Sequence, residues 1–366
     1  MAVLSDEQTM LRDMAREWVK KESPIDDFRR MRDGGAETGF DPAVFAAMAE
    51  MGWAGIVIPE AHGGSDFGWM SLGLVLQETA KTLTASPLAA SALAASALVM
   101  GESPAAQAQW LPRLADGSAH GTLAIDDGAR HAPDAMTTTA TPDPDGWTID
   151  GSKAFVHDAH GAALFIVAAT TPDGIALFAV PAGAPGASLA ARKLVDSRSH
   201  ARLDLAGVRV GPEARLGGAD LLERLLDQAR IAAAAEMLGM ADHSFQVTLD
   251  YLKQRVQFGQ HLSSFQALQH RMAELFTRIE LLRSVVEAAL AALDSKSDVP
   301  AMAALAKAMA NDVLHLVSRE VIQLHGGIGM TDEYFIGFYI KRARVLENAW
   351  GGSAFQRDCF ARLAGY

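Results

Sequence analysis

Apolar and polar positions along the 366-residue chain fall into three regimes. From residue 5 to about 118 the apolar residues recur at helical spacing. Met10, Leu11, Met14, Ala15 and Trp18 share one helix face. Ser5 is the expected N-cap, with Glu7 or Gln8 placed to answer it. A second helix is predicted over residues 42–51, with Pro42 in the first turn, where its missing N–H costs nothing. Pro59 and Gly63-Gly64 then break the pattern into a loop, and helices resume over residues 72–81 and 87–99. Residues 121–218 differ: short apolar runs alternate with turn residues such as Pro172-Asp173-Gly174, which predicts strands in a small antiparallel barrel or sandwich. From residue 221 to 363 the period is helical again, over 221–254, 265–293 and 301–324, with a loop at 296–300 and a stop at Gly326-Gly327. The expected fold is α+β: an N-terminal helical domain (1–120), a middle β domain (121–220) and a C-terminal four-helix bundle (221–366).

Charge and cysteine content narrow the function. The formal net charge of -12 argues against nucleic acid and anionic membrane surfaces as partners. The single cysteine, Cys359, excludes an internal disulfide and a cysteine metal cluster, and no metal is expected. The first 22 residues carry charges throughout, unlike a signal peptide, and no apolar run reaches the length of a membrane span. A soluble cytoplasmic protein is expected.

Four segments carry a family resemblance. Met51-Gly52-Trp53-Ala54-Gly55-Ile56-Val57-Ile58-Pro59-Glu60, followed by Gly63-Gly64, is one. Ile149-Asp150-Gly151-Ser152-Lys153 is the second. Arg255-Val256-Gln257-Phe258-Gly259, with Phe265-Gln266 and Met272-Ala273 after it, is the third. Gln323-Leu324-His325-Gly326-Gly327-Ile328-Gly329 is the fourth. Each is weak alone. In this order and spacing the chain resembles the acyl-CoA dehydrogenase family over its whole length. That resemblance implies FAD bound at a subunit interface of a tetramer and oxidation of an acyl-CoA thioester at Cα and Cβ. A glutamate would take the α proton, flavin N5 the hydride, and an electron-transfer flavoprotein the electrons. It also implies that Arg255, Gln257 and Phe258 lie along the pyrophosphate and adenosine. Gln323, Gly326, Gly327 and Gly329 would be offered to the cofactor by a neighbouring subunit. Arg230 would orient the site beside the thioester, and Phe155 and His157 would lie near the flavin ring.

The chain departs from the family at the chemistry. Trp350 stands where the resemblance expects the catalytic glutamate, in Ala349-Trp350-Gly351-Gly352-Ser353-Ala354. Ala229 fills the alternative address, one residue before Arg230. An indole cannot accept the α proton. Glu347, Asp227 and Glu236 are the remaining candidates for a base, Glu347 foremost. Ile125-Asp126-Asp127-Gly128-Ala129-Arg130 replaces a segment that in the family offers small polar groups to the ring. The sequence is thus similar to the small or base-lacking subunit of bacterial heteromeric acyl-CoA dehydrogenases, of pimeloyl-CoA or steroid side-chain type. The expected assembly is a homotetramer or an α2β2 heterotetramer with a second acyl-CoA dehydrogenase-like subunit. The alternatives are a homomeric flavoenzyme with altered chemistry, an inactive structural partner, and a non-flavin binding protein on a helical scaffold.

Overall fold

The computed structural model describes residues 4–366. Helices come first: α1 (Asp6–Glu22), α2 (Ile25–Gly34), α3 (Pro42–Glu50), α4 (Gly68–Lys81), α5 (Leu88–Met100) and α6 (Pro104–Ala115). Eight strands follow: β1 (Gly121–Ala124), β2 (Thr139–Asp143), β3 (Gly146–His157), β4 (Leu164–Thr171), β5 (Gly174–Pro181), β6 (Ala187–Ala191), β7 (His200–Val210) and β8 (Arg215–Gly218). Then come α7 (Ala219–Gln254), the short hairpin β9 (Val256–Gln257) and β10 (Gln260–His261), α8 (Gln266–Ser295), α9 (Val299–His325), α10 (Ile336–Asn348) and α11 (Ser353–Leu363). This is the helical, β, helical order read from the sequence. α2, α6, α10 and α11 are additions to the helices located in that reading.

The residues form two compact units that do not follow the chain order. Among the described residues one holds 4–28, 69–84 and 230–366; the other holds 29–68 and 85–229. The boundary falls inside α7, between Ala229 and Arg230.

The first unit is helical. Ser5 caps α1 in a full capping box with Gln8. The buried stripe of α1 is Ala15, Trp18 and Val19, whereas Met10 and Met14 are exposed, contrary to the expected apolar face. The start of α4 is buried, and its free amides are met from far away. Asp294 at the end of α8 accepts from Trp69 N (2.6 Å) and Met70 N (3.0 Å). α4 and α7 approach so closely that a Cβ on Gly239 would lie 2.1 Å from the Gln77 carbonyl oxygen. Alanine there would gain roughly 1 kcal/mol of helix propensity, but backbone cannot yield as a side chain does. Gly239→Ala is expected to destabilise the protein by about 1–3 kcal/mol, read by urea denaturation.

The second unit is built on one eight-stranded sheet, ordered β6-β7-β3-β2-β4-β5-β8, with β1 added beside β4. The sheet is mixed where the sequence suggested an antiparallel one, because β1 and β2 each run parallel to β4. Ile149, Phe165, Val167, Phe178, Val180, Leu203 and Val208 form its apolar core. The β4–β5 turn at Pro172-Asp173 is as read, with Thr171 opposite Gly174. Two register shifts on β3, between Ile149 and Gly151 and between Lys153 and Val156, break its pairing with β7. They accompany a burial pattern in which Lys153 and Val156 are buried and Phe155 is exposed. Among the described residues no helix is long and apolar enough to cross a membrane.

Candidate functional site

The turn between α10 and α11 places Trp350. α10 stops at Asn348, Gly352 precedes α11, and the chain reverses through Trp350 (φ 58°) and Gly351 (φ 99°). Glycine tolerates such angles, whereas for a tryptophan the left-handed region costs roughly 1–2 kcal/mol. Tertiary bonds hold it there. Gln356 Nε2 of α11 donates to the Trp350 carbonyl (2.6 Å) and reaches that of Gly351 (3.3 Å). Arg230 Nε of α7 donates to the Trp350 carbonyl (3.4 Å), and its guanidinium lies 5.7 Å from the Phe355 ring centre. Lys307 and Asn311 of α9 reach the Gly351 carbonyl, each at 3.4 Å. Arg230 and Trp350, 120 residues apart, are therefore brought together.

Lys307 was missed in the sequence, although it carried a signal. It sits on the same helical stripe as Ala303, Ala310 and Asn311, all buried, where lysine is out of place. Burial pulls its amine down to about 7, with Glu347 drawing it up and Arg230 pushing it further down.

Glu347 lies within an ionic cluster. Its Oε2 accepts from Arg344 NH1 (2.6 Å) and stands 3.3 Å from His315 Nδ1. Its Oε1 is buried with no hydrogen-bond partner among the described residues. Glu236 is taken by Arg342 Nε at 2.9 Å. Asp227 is buried on the α7 segment of the second unit, and Ala229 beside it is buried too.

The Arg255 to Gly329 motifs are open to solvent. The β9–β10 hairpin closes on Phe258 (φ 53°) and Gly259 (φ 77°), a two-residue loop with both angles positive. Arg255, Gln257 and Phe258 are exposed, Phe258 to 89%. The Arg255 and Gln257 side chains make no hydrogen bond or ion pair with the described residues. Gln323 is likewise exposed and uncommitted, and a Cβ on Gly326 or Gly327 would meet nothing within 4 Å. Gly329 differs: it is buried, and a Cβ there would press on the Ile322 carbonyl at 2.8 Å. His325 donates from Nδ1 to the Val321 carbonyl (2.7 Å) and stacks on Tyr251, and burial lowers its proton affinity. The uncommitted guanidinium and amide donors of Arg255 and Gln257, and separately the open Gly326-Gly327 backbone, have the donor chemistry that a dinucleotide's pyrophosphate takes.

In the second unit the Ile125 to Arg130 segment is locked from below. Lys153, wholly buried, donates to the Ile125 carbonyl (2.9 Å) and to Asp127 Oδ1 (2.5 Å). Asp127 also accepts from the Thr137 and Thr138 amides. Burial raises the Asp127 carboxyl's proton affinity, but Lys153 and the two amides outweigh it and hold the pKa below the usual carboxylate value. Asp126 holds His131 at 2.9 Å. Phe155 is 39% exposed. The His157 ring packs edge-on against the His200 ring at 4.8 Å, and Asp196 lies 3.5 Å from His200.

Three domain families match consecutive stretches: the acyl-CoA dehydrogenase N-terminal domain over residues 5–118, the middle domain over 125–208 and the C-terminal domain over 217–364. The probable acyl-CoA dehydrogenase YngJ of Bacillus subtilis is 32% identical over 98% of both chains. A chain from a variant of the Tcur3481-Tcur3483 steroid ACAD superposes with a TM-score of 0.92 at 32% identity, over 98% of both chains. A chain of the ChsE4-ChsE5 complex from Mycobacterium tuberculosis superposes with a TM-score of 0.94 at 27% identity, over the full length of both. Fold, motif order and these matches agree: the chain belongs to the acyl-CoA dehydrogenase family, whose chemistry is FAD-linked.

Proposed function

We propose that this chain is the base-lacking subunit of a heteromeric acyl-CoA dehydrogenase, working in an α2β2 assembly with a second subunit of the same family. The observation that carries the reading is Trp350, an indole on a pinned turn at the place where the family keeps its glutamate. Ala229 at the alternative address leaves no carboxylate there either. The two-subunit ChsE4-ChsE5 complex among the similar structures supports an unequal assembly.

Bound FAD would supply the hydride acceptor for oxidation of an acyl-CoA thioester between Cα and Cβ. Arg255 and Gln257 would hold its pyrophosphate with charge-assisted and neutral hydrogen bonds. Gln323 with the open Gly326-Gly327 backbone would meet the cofactor from across a subunit interface. Arg230 steadies the Trp350 turn through its carbonyl. The proton from Cα would go to a carboxylate of the partner subunit's own site. Electrons would leave to an electron-transfer flavoprotein. A cytoplasmic location and an acyl group from lipid metabolism complete the proposal.

One observation favours a second reading, a self-sufficient flavoenzyme with an unusual base. The Glu347 Oε1 is buried without a partner, so one acceptor of a carboxylate held by Arg344 is left open three residues from Trp350.

The visible spectrum, protein-to-flavin ratio and solution mass of the chain purified alone separate the readings. Little flavin in the isolated chain, restored on co-expression with the partner, is expected. One flavin per chain in a homotetramer with turnover abolished by Glu347→Gln would establish the second reading. Trp350→Glu alone is expected to leave acyl-CoA-dependent dye reduction at background. A positioned base contributes roughly 10²–10⁴-fold only in a site shaped around it, and Gly352, Ala354 and the Ile125 to Arg130 segment also depart from the family.

A further inference from the structure

The Trp350 turn stands against its own conformational preference, and one of the two fully buried side chains holding it, Lys307, is an amine. Lys307 Nζ is ringed by three oxygens: Asn311 Oδ1 at 2.6 Å, the Leu346 carbonyl at 2.9 Å and the Gly351 carbonyl at 3.4 Å. An ammonium has three N–H donors and no acceptor, which matches three oxygens. A neutral amine has two donors and a lone pair, so one oxygen must then face the lone pair. The longest contact, to Gly351, is the one to give way.

We propose that Lys307 is the positioning residue of this turn: its ammonium ties the last turn of α10 to the Gly351 carbonyl and so fixes where Trp350 stands, and losing its proton releases the Gly351 end. The inference rests on the turn's geometry and holds under either reading of the catalysis.

The charges that bear on Lys307 come from two helices. Glu347 of α10 attracts and Arg230 of α7 repels. Glu347 is itself shared with Arg344 and lies beside His315. From α11, Gln356 is neutral, and Arg357 is paired with Asp312 of α9 at the surface. Burial dominates and brings the amine to about 7, so release falls near neutral pH. The sign is distinctive. In the unfolded chain a lysine keeps its proton to about 10.4. Between about 7 and that value the unfolded state binds the extra proton: the lowered folded pKa makes this group cost stability in full below the folded value, and that cost shrinks as the pH rises towards the unfolded one. Global stability through this group therefore rises with pH while the turn loosens.

The test is fluorine NMR on the full chain labelled with 5-fluorotryptophan. The chain has six tryptophans, and the line lost in Trp350→Phe identifies Trp350. That line is expected to shift between about pH 6 and about pH 8.5 with a midpoint near 7. In Lys307→Met it should stay at its high-pH position throughout. A Trp350 line that does not move in the natural chain overturns the proposal, as does a transition that persists in Lys307→Met. A second measurement reads the amine itself. With lysine labelled at Cε, the resonance missing from Lys307→Met should titrate near pH 7, and titration of that resonance near about 10 sinks the idea.

Discussion

Replacing Asp127 with alanine is expected to lower the unfolding free energy by about 3–5 kcal/mol, because it leaves the Lys153 charge buried without its partner. The size of the effect follows from burial: the Lys153 side chain is 0% exposed and that of Asp127 10%. The substitution also orphans the Thr137 and Thr138 amides that Asp127 accepts from. Removing both charges, in Asp127→Leu with Lys153→Met, should cost much less than the single change, since no unpaired ion remains. Urea denaturation of the two single variants and the double variant gives the coupling directly. A cost below about 1 kcal/mol for Asp127→Ala would mean that the pair behaves as a surface ion pair. The pH dependence has a definite sign. The folded Asp127 pKa is lowered, so its contribution is present above the unfolded value of about 3.9 and is lost as the pH falls through the folded value. The natural chain and Asp127→Ala should therefore converge in stability in acid.

Arg255→Ala should weaken FAD binding by about 10–100-fold, the loss expected for hydrogen bonds to a charged group worth roughly 1.5–3 kcal/mol. Flavin retained after gel filtration, measured by absorbance on the assembly that holds flavin, is the readout. The fold should be unaffected, since the exposed Arg255 side chain bonds to none of the described residues, so a loss of flavin cannot be blamed on unfolding. Arg255→Lys keeps the charge but not the planar fork and should fall between. Flavin content unchanged in Arg255→Ala would remove the residue from the cofactor site.

Much of the molecule was legible in the sequence where the cause is local. The capping box at Ser5 and Gln8 involves groups three residues apart. The turn at Pro172-Asp173 joins adjacent strands. Other readings failed because the cause is distant. Met10 and Met14 have helical spacing with Ala15 and Trp18, yet periodicity says which residues share a face and not whether anything covers it. β1 and β4 pair in parallel although far apart in the chain, which alternation within a strand cannot report.

The site divides along the same line. Sequence alone carried the family motifs, and with them the proposal that Trp350 and Ala229 occupy the usual addresses of the base, because these are identities at ordered positions. Only the tertiary structure decided that Arg230, Lys307, Asn311 and Gln356 converge on one strained turn, and that Lys153 lies buried against Asp127. Those facts depend on desolvation and on donors meeting acceptors from segments far apart in the chain. Neither quantity is defined until the helices and strands have packed.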